Sequence, residues 1–255
     1  MFLRIVGHRM NQTQIEDMVL WQDTDFIVIN KPAGLPALPD GYHPGTPHLV
    51  SLLAPLFGSL MIVHRLDRET SGLIILARSP QAHQLLSIQF EKRQVSKFYH
   101  AIVEGNPSWE EKAVNLKLRA DGDRRHRTVV DRRYGKSALT QLKVMERFGM
   151  YSLVEAMPQT GRTHQIRAHL AAVGHPVAVD GLYGSRAGIF LSRLRSDYIP
   201  GKSEERPLLS RLGLHAWSMK IIHPGSGELC TFEAPYPLDL AITLKQLRKY
   251  ASRSL

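Results

Sequence analysis

The sequence predicts an α+β protein built on a mixed, mainly antiparallel sheet flanked by helices and loops. Three observations predict it. Short apolar runs bounded by Gly, Pro or Asp recur along the chain and outnumber the helical periods. Two of them, residues 138–145 and 151–156, are separated only by a turn around Phe148-Gly149 and read as a hairpin. Strand and helix patterns do not alternate regularly, which argues against a doubly wound parallel sheet.

Taken in order, residues 1–15 read as a loose N-terminal lead, since chain ends are poorly ordered unless tied down. Residues 16–255 read as a single domain. Val19 to Asn30 forms two extended runs around Asp23-Thr24-Asp25, the second ending at Lys31-Pro32-Ala33-Gly34. Proline removes a ladder donor and glycine admits unusual backbone angles, so a turn follows. The Pro- and Gly-rich stretch to Pro47 is loop. Leu73–Ala77 suits a buried strand. A helix follows it: Ser79 is a good N-cap, Pro80 suits the first turn, and Ala82, Leu85, Leu86 and Phe90 share a face. Phe98–Val103 is extended. Ile166, Leu170 and Val173 have helical spacing and stop at Gly174. Residues at about 185–210 have few periodic apolar positions and read as an insertion. Leu240, Leu244 and Leu247 mark a last helix.

Composition narrows the class. With 43% hydrophobic and 22% charged residues the chain is an ordinary globular protein. No run approaches the roughly 18 apolar residues of a membrane span. The apolar patch at the start is too short for a secretory signal, so a cytoplasmic location is expected. Cys230 is the only cysteine, which excludes an internal disulfide framework and a multi-cysteine zinc site; it reads as packing. Gly201-Lys202-Ser203 imitates the end of a P-loop, but Ser196 stands where that motif needs glycine, so no nucleotide cofactor is expected.

Charge points to a polyanion. Lys and Arg number 33 against 23 Asp and Glu, a net charge of +10. Each phosphate contact releases counterions, so such an excess favours nucleic acid. Lys117, Arg119, Arg124, Arg125, Arg127, Arg132, Arg133 and Lys136 crowd one segment against Asp121, Asp123 and Asp131. That segment reads equally as an RNA contact or as a solvated loop.

Two segments carry chemistry. In Ile62-Val63-His64-Arg65-Leu66-Asp67-Arg68-Glu69-Thr70-Ser71-Gly72, polar residues of catalytic type lie between apolar runs, where a rigid scaffold presents a loop. By its residues alone, Asp67 is either catalytic or one member of a surface ion-pair cluster. In Thr160-Gly161-Arg162-Thr163-His164-Gln165-Ile166-Arg167, basic side chains enter a helix, a favoured place for phosphate or carboxylate. Metal binding by His164 and His169 is disfavoured, because five helical positions separate them by about 140°.

The string HRLDRETSG resembles the HRLDxxTSG signature of the RluA-type pseudouridine synthases. The likeness continues through Lys97-Phe98-Tyr99-His100-Ala101-Ile102-Val103, residues 160–184, and Leu214-His215-Ala216 with His223-Pro224. The resemblance implies the pseudouridine synthase catalytic fold and an RNA partner, ribosomal or transfer RNA. It also implies isomerisation of uridine to pseudouridine without cofactor or metal.

It further implies that Asp67 is the indispensable carboxylate, which could add to the uracil ring, attack the sugar or remove a sugar proton. Arg167 would pair with it, since a nearby cation favours the ionised form. Tyr99 would lie against the base. Arg65 would enter the space left by an extruded uridine. His64, Arg162 and His164 would support the RNA or the aspartate loop, and Lys31 would give structural support or a phosphate contact. Apart from the resemblance, the charge of the basic segment makes Arg124 and Arg125 candidate RNA contacts.

Two departures stand out. Many members carry an S4 RNA-binding domain, and the short lead is expected not to hold one. The family's GHPIxGD is Gly174-His175-Pro176-Val177-Ala178-Val179-Asp180 here, so a glycine is replaced. The rival reading is a non-catalytic RNA-binding protein or RNA chaperone on the same fold; loss of Asp67, Tyr99 or Arg167 would have favoured it. A monomer is expected.

Overall fold

All seven residues of the strand Ser71–Ala77 are buried, as a continuous apolar run covered on both faces requires. In the computed structural model of the chain, residues 3–5, 8–39, 45–195, 197–199 and 204–250 are described. Gly201-Lys202-Ser203 and Ser196 therefore lie outside the described residues, as do parts of the expected lead and insertion. The chain divides into two compact units, Met1–Lys97 with His215–Pro235, and Phe98–Leu214 with Tyr236–Leu255.

In the first unit, Ser71–Ala77 pairs antiparallel with Phe26–Lys31, which pairs antiparallel with Val19–Gln22. On its other side it meets the strand Leu214–Ile222 in parallel, His215 opposite Ser71 and Ala216 opposite Gly72. That strand turns back antiparallel into Leu229–Glu233, which contains Cys230. The expected helix forms at Pro80–Glu91, with the Ser79 side chain accepting the Ala82 N–H. Upstream, Leu3–Ile5 pairs with His8–Met10, and Asn11 caps a short helix, Gln12–Glu16. The helix Leu49–Phe57 has no counterpart in the sequence reading.

The second unit is an antiparallel array in which the first strand in sequence lies beside the last. Residues 98–104 pair with Tyr151–Pro158, which pairs with Leu139–Arg147, which pairs with Glu111–Asn115. Alternating burial along Leu139–Arg147 gives that strand one covered face. The helix Gln165–Ala172 ends at Gly174, whose φ of 87° suits the left-handed stop. The last helix, Leu238–Tyr250, buries Leu240, Leu244 and Leu247 against Phe148, Leu153 and Leu209. Within 185–210, Ile189 bridges Leu209, and Ile189, Leu194 and Leu209 all join this core.

The mixed, mainly antiparallel α+β class is what the structure shows. No helix among the described residues is long and apolar enough to cross a membrane.

Candidate active site

The loop carrying Asp67 leaves the short strand Met61–Ile62 and enters Ser71–Ala77. It is braced from inside. The Thr70 N–H donates to the Asp67 carbonyl at 3.1 Å, closing the loop on itself, while Gly34 N–H donates to the Arg68 carbonyl at 2.8 Å. Lys31, expected either to support structure or to touch phosphate, is fully buried. Its ammonium donates to the carbonyls of Pro32, Leu35 and Arg68 at 2.9–3.1 Å. A sealed ammonium on three carbonyls ties strand, turn and loop together.

His64 also faces inward. Its Nε2 accepts the Ile75 N–H at 3.0 Å, and its ring stacks on Phe90 with centroids 4.5 Å apart. Burial, and secondarily the Lys97 charge, pushes its pKa down to about 3. An imidazole that accepts a backbone N–H must be neutral at that nitrogen, so geometry and charge agree. Arg65, beside it, is exposed.

At the loop's exit, Ser71 lies 2.9 Å from His215 Nδ1, and His215 Nε2 lies 3.1 Å from the Ala234 carbonyl. Both side chains are wholly buried. The carbonyl requires the Nε2–H tautomer, so the serine hydroxyl donates to Nδ1. Gly72 permits this approach: at φ 109°, a Cβ there would lie 2.2 Å from the Ala216 carbonyl oxygen. Thus the Ser-Gly of the HRLDRETSG string and the distant Leu-His-Ala are two sides of one parallel strand pair.

The second unit holds the other two residues expected to be catalytic. Tyr99 is buried on the strand Ser96–Glu104, opposite Ala156. Arg167, on the helix Gln165–Ala172, donates from Nε and Nη2 to the two carboxylate oxygens of Asp180, both at 2.7 Å. The guanidinium also stands 5.1 Å from the centroid of the Tyr183 ring. Asp180 Oδ1 accepts the Leu182 and Tyr183 N–H groups, which fixes the turn. Sequence reasoning missed Asp180 and Tyr183 as partners, although both lie inside the matching stretch 160–184.

His164 adopts φ 50° at the start of the same helix, with Nδ1 3.1 Å from the Tyr183 hydroxyl. Arg162 Nε donates to the Ser137 carbonyl at 3.1 Å. His169 lies 2.9 Å from the Thr140 hydroxyl and 3.3 Å from the Leu116 carbonyl, and burial lowers its pKa. The two histidines thus serve different local contacts. Among the described residues, metal-like proximity occurs at Asp23, Asp25 and His223. There Asp23 Oδ1 and His223 Nδ1 accept backbone N–H groups, which closes two turns.

The basic segment is attached to the Asp180 turn. Arg125 Nη2 donates to the Gly181 carbonyl at 2.6 Å and Arg127 Nη1 to the Leu182 carbonyl at 3.0 Å. The Thr128 N–H donates to the Tyr183 hydroxyl at 2.8 Å. Arg124 is exposed.

Residues 25–172 match the sequence profile of the family described as RNA pseudouridylate synthase. The chain belongs to that family, in its RluA-type branch, and by class it is an isomerase. It is 37% identical over 239 residues to ribosomal large subunit pseudouridine synthase D of Neisseria meningitidis serogroup B, covering 90% of this chain and 61% of that protein. It is 35% identical over 246 residues to ribosomal large subunit pseudouridine synthase C of Escherichia coli K12, covering 94% and 73%. Among solved structures, human RNA pseudouridylate synthase domain containing 4 aligns with TM-score 0.71 at 27% identity, covering 92% of this chain and 95% of that one.

Proposed function

We propose that the chain converts specific uridines of ribosomal or transfer RNA to pseudouridine, with Asp67 as the catalytic carboxylate. The names of the two bacterial relatives support ribosomal RNA as the substrate. In the reaction the C1′–N1 bond breaks and a C1′–C5 bond forms. The proton leaves C5 and N1 ends protonated, so nothing is oxidised and nothing is hydrolysed. Asp67 serves by adding to the ring, attacking the sugar or removing a sugar proton, each of which needs the ionised form.

Arg167 is assigned as the cation that holds Asp67 ionised and oriented. The grip on Asp180 occupies one edge of its guanidinium, and a guanidinium has five donors, enough for a second carboxylate. Tyr99 is assigned to the face of the uracil, where stacking contributes roughly 1–3 kcal/mol, and its hydroxyl to the proton leaving C5. Arg65, exposed beside the loop, takes the place of the extruded base at a cost of a few kcal/mol for unstacking. Lys31 and His64 hold the loop. Arg162 and His164 hold the start of the Arg167 helix, and Arg124 and Arg125 contact the RNA. The protein works as a cytoplasmic monomer without metal or nucleotide cofactor.

The observation that carries this reading is the bracing of the Asp67 loop: a buried ammonium, a half-buried imidazole that accepts the Ile75 N–H and a glycine close approach all serve to fix it. The experiment is site-resolved pseudouridine mapping in cells lacking the gene, complemented with wild type or Asp67→Asn. Wild type should restore the missing modification and Asp67→Asn should not, while folding is retained. Restoration by Asp67→Asn overturns the assignment.

A further inference from the structure

The turn Asp131–Gly135 consumes its own acid and presents an aromatic ring. Asp131 Oδ1 accepts the N–H groups of Arg133 and Tyr134 at 3.0 and 2.8 Å, and Oδ2 takes Arg119 Nε at 2.7 Å. The turn is fastened to the neighbouring strand. Asp131 N–H donates to the Lys117 carbonyl at 2.9 Å, and Leu118 and Lys136 exchange backbone bonds of 2.8 and 2.9 Å. A Cβ at Gly135 would lie 2.3 Å from the Asp131 carbonyl oxygen and 2.8 Å from Lys117 backbone, so the fit is tight. Little backbone freedom remains to be lost on binding.

On this rigid base Tyr134 is 66% exposed, with the Arg133 guanidinium 5.0 Å from its ring centroid. A lone exposed tyrosine is ordinary. Its surroundings are not. The segment's three acids are taken by Arg119, His126 and Arg127. Lys117, Arg132, Arg133 and Lys136 are exposed, and among the described residues none of the four forms an ion pair.

An aromatic face within uncompensated positive charge matches an unpaired stretch of RNA, which offers a π-face and phosphates together. Duplex RNA offers the phosphates but hides the faces of its bases. An acidic peptide would satisfy the charge and leave the ring unused.

We propose that Tyr134 stacks on an unpaired base of the substrate RNA while Lys117, Arg132, Arg133 and Lys136 engage its phosphates. This rests on the RNA reading above and adds a second contact point remote in sequence from Asp67.

The test compares the full chain with Tyr134→Ala and Tyr134→Phe. The probes are a short oligocytidine strand carrying a central 2-aminopurine and a G·C duplex of equal length. Neither contains uridine, so isomerisation cannot contribute. Tyr134→Ala should weaken single-strand binding about 5- to 100-fold and abolish quenching of the 2-aminopurine. Tyr134→Phe should keep both, and duplex binding should change less than about twofold. Undiminished binding and quenching by Tyr134→Ala overturns the proposal. So does equal loss in Tyr134→Phe, or equal loss on single strand and duplex. Pseudouridine formation in ribosomal RNA is assayed in parallel: if wild type forms none, the enzyme reading fails while the binding comparison still decides Tyr134.

Discussion

Arg167 grips Asp180 through two parallel N–H···O bonds of 2.7 Å, with the two side chains 7% and 0% exposed. Two ions taken out of water need excellent geometry to offset desolvation, and this pair has it. The same carboxylate accepts two backbone N–H groups of its turn, and that turn receives Arg125, Arg127 and Thr128. A side chain expected to serve the reaction is therefore also the anchor of a loop system.

Asp180→Ala should destabilise the protein by about 3–5 kcal/mol, the usual cost of removing one member of a buried pair. Arg167→Met with Asp180→Leu should cost less than Asp180→Ala alone, because the Arg167 charge is then not left buried without Asp180. Urea denaturation of these two variants and of the singles Arg167→Met and Asp180→Leu measures this. A double variant as unstable as the sum of the singles would show that the pair is not the relevant unit.

Val179 stands where the family's motif has glycine, and it keeps the turn at φ 60°. A left-handed backbone costs a non-glycine residue roughly 1–2 kcal/mol. Its buried side chain returns a comparable amount, about 1.5–3 kcal/mol. Val179→Gly, which relieves the strain while losing the packing, should stay within about 2 kcal/mol of wild type. Val179→Ala loses packing and keeps the strain, so it should be the less stable of the two. The reverse order of denaturation midpoints would show that the strain is negligible.

His64 should make the protein acid-sensitive. Its pKa is about 3 when folded, against an ordinary value near 6.5. Below the unfolded value the unfolded chain binds the extra proton, so stability falls as pH drops from about 6.5 towards 3. His169, also lowered by burial, adds in the same direction. His64→Gln retains an acceptor for the Ile75 N–H and does not titrate. Its loss of stability between neutral pH and about pH 5 should be smaller than that of wild type. Parallel pH curves for the two proteins would contradict the assignment.

Arg124 and Arg125 should differ although adjacent. Each should reduce the salt slope of RNA binding by about one unit when changed to alanine. Arg125→Ala alone should also speed hydrogen exchange at Leu182 and Tyr183, because Arg125, unlike Arg124, holds the Gly181 carbonyl. Unchanged salt slopes in both variants would reduce the segment to a solvated loop.

Local chemistry was readable in the sequence wherever one residue decides the outcome. Ser79 caps its helix and Gly174 ends another, and the turn at Phe148-Gly149 joins its two strands as spacing predicts. The strand Glu111–Asn115 was not readable, because Val114 is its only buried residue and its partner Leu139–Arg147 supplies the pairing. The helix Leu49–Phe57 follows a dense run of turn residues and contains Pro55, both of which mask its apolar period.

The site divides in the same way. Sequence by itself determined the family, the α+β class, and the candidacy of Asp67, Tyr99 and Arg167, because contiguous motifs carry that information. Tertiary structure alone decided that Lys31 and His64 turn inward, that Asp180 is a partner of Arg167, and that Ser71 meets His215 across 144 positions. Such pairings arise when desolvation forces each buried polar group to find whatever complement folding brings near, and no local pattern records which one that is.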